Sequence, residues 1–388
     1  MSFREWSAAR LLLFALGLAL IVMGALPLAT IDEKLQYALP MAGADGQAQK
    51  IATLSGRVDD VREQVKDAAS GIAMAGVNES ISVSAGGDSY DARVLCVDEG
   101  WVDVEPASIV SGRGLTDTEL RRGEPSALID AALAFKLFGA ELPEDAAIEI
   151  GSTDYRVVGT VRTRRSYGVK SQYCAWIPLM SLLSEDESGA ALSSLKLDTL
   201  VLEAHPTEGA GARTLFESTA RSAWQSGGTF ISLAKEAMRG TIILRLLALA
   251  LGFSLWGRLL KRMNDFAGED VAGYRAALKE RYFARTIGRL LWTGAKWIFG
   301  YGLLLVAAYG LLRLAFYPLY TFTEWVPDDF TSWTSLSKVF WNLIGEHATL
   351  VKTGTWAFRE LRFFSGLVRW GCVSLLTSMA IRRRGSGK

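Results

Sequence analysis

The sequence predicts an α+β extracytoplasmic domain on a four-helix transmembrane domain. Three observations carry that prediction. Half of the 388 residues are hydrophobic, and the long apolar runs number four, each near the ~20 residues a helix needs to cross a bilayer core. The charge is divided: residues 30–240 hold 20 Lys+Arg against 31 Asp+Glu, and the remainder holds 22 against 10. A net charge of +1 therefore conceals an acidic body and a basic, apolar remainder. Within 30–240, short alternating stretches are interleaved with amphipathic ones, the mixture expected of strands and helices in one domain. Disorder, a collagen-like chain and a coiled-coil rod are excluded by composition. A wholly soluble enzyme is a poor fit to the apolar runs, and no nucleic-acid partner is expected.

Taken in order, residues 1–10 form a cytoplasmic N-terminus with Arg4 and Arg10, and residues 11–29 are an uncharged run that makes transmembrane helix 1. Asp32 and Glu33 follow, so the positive-inside rule keeps the N-terminus in the cytoplasm. Cleavage as a signal peptide is the competing reading of this run, but Ala25 and Ala29 lack A-x-A spacing. Residues 30–240 then form the extracytoplasmic domain. In it, residues 49–69 read as a helix with the narrow stripe Ile51, Leu54, Val58, Val61 and Val65. Residues 80–84 and 92–97 alternate as strands. Residues 128–138 read as a helix ended by Gly139, in the position glycine favours. Residues 147–150 and 155–161 form a hairpin around Gly151-Ser152-Thr153-Asp154. Residues 173–178 and 199–203 are further strands, and 211–225 is an amphipathic helix. A last helix starts near Leu233 and runs into the second span.

The remaining spans are residues 241–260, 297–320 and 363–381, followed by a basic tail at 382–388. Between spans two and three lies a cytoplasmic segment, 261–296. From Arg258 to Lys296 there are nine Lys/Arg, against four over residues 321–362. That asymmetry puts 261–296 inside and the loop 321–362 outside. Every loop then agrees on a multi-pass membrane protein with both termini inside and residues 30–240 outside. The outer loop is rich in aromatics: Trp325, Phe330, Trp333, Phe340 and Trp341. These rings suit the lipid headgroup layer or packing against the outside domain.

No constellation of catalytic groups stands out. The terminal Gly385-Ser386-Gly387-Lys388 lacks the strand and helix of a phosphate loop. His205 and His347 have no ligand-type neighbours at metal-binding spacing, so no metal is expected. Asn78-Glu79-Ser80 fits a glycosylation sequon of a kind common by chance. Cys96 and Cys174 fall on the oxidising side and are either bridged, closing a long loop, or two separate buried thiols. Arg245, Arg313 and Arg369 sit inside apolar spans, about 6–10 Å below the outer surface at 1.5 Å per residue. They either snorkel to the headgroups or line a shared basic vestibule with Glu324 or Glu360 as partners.

Residues 110–178 resemble the periplasmic core domain of MacB-type ABC transporter permeases. The resemblance is carried by Gly112-Arg113 with Asp117 and Glu119, then Ala127-Leu128-Ile129 and Lys136-Leu137-Phe138-Gly139. Ile148-Glu149-Ile150, Tyr155 with Val157-Val158-Gly159, and Ile177-Pro178 complete it. The physical role of these residues is structural. The four-span layout extends the likeness to FtsX-like membrane domains. The resemblance implies a permease subunit in a bacterial cell membrane, working as a homodimer or as a heterodimer with another permease. It implies a separate ATP-binding subunit that holds ATP and Mg, with no cofactor bound by this chain. It also implies that Glu269, Asp270, Gly273, Tyr274 and Arg275 are the segment that meets that subunit, the alternative being a basic helix held by anionic lipid. The rival function is a non-transporting regulator or sensor acting on a cell-wall hydrolase or an extracellular ligand. Substrate and direction of transport are not specified by these residues.

Overall fold

The computed structural model describes residues 8–43, 46–139, 145–163, 172–183, 195–207, 211–224, 227–280, 283–321, 329, 331–353 and 355–380. Glu324, Trp325, Phe330 and the tail 382–388 with its Gly-Ser-Gly-Lys ending lie outside them, as does the side chain of His347. In chain order the elements begin with α1 (Ala8–Ala29), β1 (Leu35–Pro40), α2 (Gln47–Ser55), α3 (Val58–Val65), β2 (Ala69–Ala85) and β3 (Asp88–Val97). There follow α4 (Trp101–Val104), β4 (Ile109–Gly112), α5 (Asp117–Arg122), β5 (Ser126–Asp130), α6 (Ala131–Phe138), β6 (Ala147–Ile150) and β7 (Thr153–Val161). Then come β8 (Tyr173–Pro178), β9 (Thr199–Pro206), α7 (Ala212–Trp224), β10 (Thr229–Ser232), α8 (Leu233–Glu280), α9 (Phe283–Thr321), α10 (Trp333–Thr353) and α11 (Trp356–Ala380). The chain divides into two units. The larger holds Leu26–Ala237 together with Trp341–Gly366, and the other holds the rest.

The larger unit is α+β. Its ten strands order as β10-β1-β9-β2-β3-β8-β5-β7-β4, and β6 joins β2 to β7. That extra pairing closes β2, β3, β8, β5, β7 and β6 into a ring. A ring leaves no free edge among its members, which protects the strands from pairing with other chains. One face of the sheet holds the main core: Tyr37, Met74, Val94, Cys96, Ile129, Ala175, Ile177 and Leu202 lie under Val61, Leu133 and Phe216 of the helices. The stripe Ile51, Leu54, Val58, Val61, Val65 is buried as its spacing predicts, although Gly56 divides it into α2 and α3.

The structure corrects the local reading at one place and extends it at two others. Residues 126–130 are not helical but the buried strand β5, and α6 starts only at Ala131, after Asp130 in extended conformation. A short apolar run is compatible with either state, and here the slot between β7 and β8 decides. The strands at 80–84 and 92–97 belong to one long hairpin, turned at Gly86 (φ 61) and Gly87 (φ 97), the left-handed pair that a two-residue hairpin turn requires. In the segment 261–296, α8 continues to Glu280 and α9 begins at Phe283. The hairpin of β6 and β7 and the end of α6 at Gly139 agree with the reading from sequence.

In the other unit, α1 and α11 touch backbone to backbone. A methyl group on Gly17 would lie 2.8 Å from the Gly371 carbonyl oxygen, and one on Gly371 2.7 Å from that of Gly17. Arg10 Nε donates to the Ser378 carbonyl at 3.0 Å. The α8–α9 pair is joined by Trp256 Nε1 to the Leu304 carbonyl at 2.9 Å and by Tyr301 Oη to Asn264 Oδ1 at 2.5 Å. Among the described residues, four helices are long and apolar enough to cross a membrane: α1, α8, α9 and α11.

Candidate functional site

Strand alternation sends every second residue away from the main core. On this second face, the aligned pairs Gln36 with Glu203 and Arg93 with Cys174 bring polar groups together. Glu203 is 1% exposed. It is held by Gln36 Nε2 at 2.6 Å and Lys34 Nζ at 3.0 Å, and Lys34 also reaches Glu105 Oε1 at 3.2 Å. Burial pushes the Glu203 carboxyl above its ordinary range, with Lys34 opposing. Burial would lower the Lys34 ammonium, but Glu203 and Glu105 hold it above its ordinary value.

The start of α11 is laid over this face. Thr355 caps the helix, its Oγ1 accepting from Phe358 N at 3.4 Å, and the same hydroxyl donates to Gln36 Oε1 at 2.6 Å. Trp356, 7% exposed, lies beside Trp101 at 6.3 Å between ring centroids, and the Arg93 guanidinium is 5.5 Å from its ring. Arg359 Nη1 pairs with Glu79 Oε2 at 2.9 Å. Phe358 and Leu361 are buried with them. An unbroken series of contacts thus runs from the last apolar helix through Thr355 and Gln36 to Glu203, Lys34 and Glu105. Such a chain is suited to passing displacement or strain, because a packed polar network has few intermediate arrangements.

Other marked residues are structural. Arg113 grips Glu119 with Nη1 and Nη2 at 2.7 and 2.6 Å, and Thr116 and Glu119 form a capping box on α5. These bonds, the Arg113 pair foremost, hold the Glu119 carboxyl down at about 2. Gly112 and Gly159 let β4 and β7 approach: a methyl group at either would lie 2.4 Å from a carbonyl oxygen. His205 Nε2 donates to the Val104 carbonyl at 2.7 Å. The Asn78 side-chain nitrogen is engaged by the Lys196 carbonyl at 2.7 Å.

The bridge between Cys96 and Cys174 is not formed; both are free buried thiols. Their strands are adjacent, but the parallel register pairs Cys96 with Ile177 and Cys174 with Arg93. The two side chains therefore leave the sheet on opposite faces, Cys96 into the main core and Cys174 toward Arg93. Glu269, Asp270, Gly273 and Arg275 are exposed and Tyr274 half-buried along α8, where Asp270 accepts from Trp297 Nε1 at 3.1 Å. Arg245 lies 5.0 Å over the Tyr317 ring, while Arg313 and Arg369 are exposed. Trp333, Phe340 and Trp341 are exposed as well. Among the described residues the aromatics at the start of α11, Trp356 and Phe358, are buried against this domain, and the sequence reading did not single them out.

A family model described as the MacB-like periplasmic core domain matches residues 11–211. Among solved structures, the extracellular domain of the noncanonic ABC-type transporter YknZ from Gram-positive bacteria is 15% identical with a TM-score of 0.38, covering 51% of this chain and 98% of that one. The periplasmic region of MacB from Actinobacillus actinomycetemcomitans is 14% identical with a TM-score of 0.39, covering 52% and 89%. No curated protein matches.

Proposed function

The chain belongs to the MacB-like periplasmic core domain family, and from that premise we propose that it is the permease subunit of an ABC-type transporter. In this reading a separate ATP-binding subunit holds ATP and Mg²⁺, and this chain passes the resulting motion to its extracytoplasmic domain for export or release of a substrate. The observation that carries the proposal is α8. One helix runs without interruption from Leu233, directly after β10, to Glu280, and includes both an apolar span and the exposed segment Glu269–Arg275. A helix is the stiffest connection a single chain offers, since every peptide is tied to the next turn. Glu269, Asp270 and Arg275 are the residues we assign to the ATPase contact.

The charge asymmetry supports an orientation with both termini and Glu269–Arg275 inside and the acidic domain outside. Arg313 and Arg369, exposed on the helices, and Arg245, over Tyr317, favour snorkelling over a shared vestibule.

Purification of the full chain from its host in mild detergent tests the proposal. An ATP-binding subunit is expected to co-elute, and its ATP turnover is expected to change when residues 30–240 are deleted. Co-elution of a cell-wall hydrolase without any ATPase would instead favour a regulator.

A further inference from the structure

We propose that the start of α11, Thr355–Arg359, is a detachable strap over the second face of the sheet, opening while the rest of the domain stays folded. Trp356 and Phe358 bury apolar surface there, outside the main core, and the remaining attachments are polar ones that water can replace. Thr355 is bonded to Gln36, Arg359 is paired with Glu79, and Trp356 covers the Arg93 guanidinium. The main core, by contrast, is apolar and lies on the other face. The closed strap also carries a cost. Arg93 is 6% exposed, and its Nε and Nη1 find no hydrogen-bond acceptor among the described residues. A buried donor left unmet destabilises the state that buries it. Lifting Trp356 hydrates those donors, so the open and closed arrangements are brought closer in free energy than those of an ordinary core element. Because the strap is the first turn of an apolar helix, closing and opening it would tie the start of that helix to the sheet and free it. Its coupling to ATP rests on the transporter reading; the opening itself does not.

The chain contains its own reporters. Cys174 lies under the strap, 3.1 Å from Arg93 Nη2, and Cys96 lies in the main core on the opposite face. The full chain in mild detergent is exposed to a maleimide near neutral pH, and labelling of each cysteine is followed by mass spectrometry. Cys174 is expected to react at least about tenfold faster than Cys96. Arg359→Ala, and separately Trp356→Ala, should accelerate Cys174 several-fold further and leave the Cys96 rate unchanged, which also certifies that the variants are folded. Equal rates for the two thiols in the unaltered chain, or acceleration of both together in the variants, would overturn the strap. The same labelling with the co-purified ATPase, with and without a non-hydrolysable ATP analogue, separates the two ideas. Fast Cys174 labelling that ignores nucleotide leaves the strap standing and removes its coupling to ATP.

Discussion

Two carboxyl groups in the sheet unit, one buried and one half-buried, pull its stability in opposite directions with pH. Glu119, gripped by Arg113, titrates at about 2 when folded, against an ordinary value near ~4.3. Its contribution is complete above the ordinary value and is lost as the pH falls from about 4 toward 2, worth roughly 3 kcal/mol. Asp98 is the reverse case. Burial raises it to about 6, against the pull of Arg62 Nη2 at 2.7 Å. The unfolded chain then releases this proton first, so stability falls as the pH rises from about 4 to 6 and is level above that. Glu119→Gln is expected to lower the unfolding midpoint of the full chain at pH 7 and to flatten its dependence below pH 4. Asp98→Asn should flatten the dependence between pH 4 and 6 alone. A variant that leaves its own window unchanged refutes the corresponding assignment. Neither charge pair was legible in the sequence as such: Arg113 and Glu119 stand out only as part of a family block, and the neighbours of Asp98 come from other elements.

At the level of elements, helix contacts in the membrane unit depend on small residues, because lipid supplies no hydrophobic drive for helices to associate. Gly17→Leu must push α1 away from the Gly371 carbonyl and from Leu375, an overpacking cost of about 1–3 kcal/mol. Gly302, with open space around it on α9, is the control. Thermal unfolding in detergent should drop for Gly17→Leu and stay unchanged for Gly302→Ala; equal effects would show that the α1–α11 contact does not contribute. Elements with a strong period were readable: the α3 stripe, the β6–β7 hairpin and α7 all occupy the positions that their spacing indicates. Residues 128–130 misled because the short apolar run Ala127–Ile129 suits a strand and a helix alike, and only the partners β7 and β8 choose between them. The strands β1, β4 and β10 lacked a distinctive pattern, and their pairing neighbours are distant in sequence.

For the whole molecule, the orientation across the membrane can be tested directly. Asp88, at the β2–β3 turn, and Glu269, on α8, are both exposed. In intact cells a cysteine in place of Asp88 should react with an impermeant thiol reagent, and one in place of Glu269 should react only after the membrane is opened. The opposite pattern would invert the topology and remove the transporter reading with it. By itself the sequence determined the class of molecule. Apolar run length, charge asymmetry and the ordered core-domain residues are one-dimensional properties, and they specify four spans with an α+β domain between the first two. Only the tertiary structure decided how distant residues meet. It sent Cys96 and Cys174 to opposite faces, since strand register sets which way a side chain leaves the sheet. It also assembled Thr355, Gln36, Glu203 and Lys34 into one network, because burial of charge is tolerable only where partners from far along the chain converge.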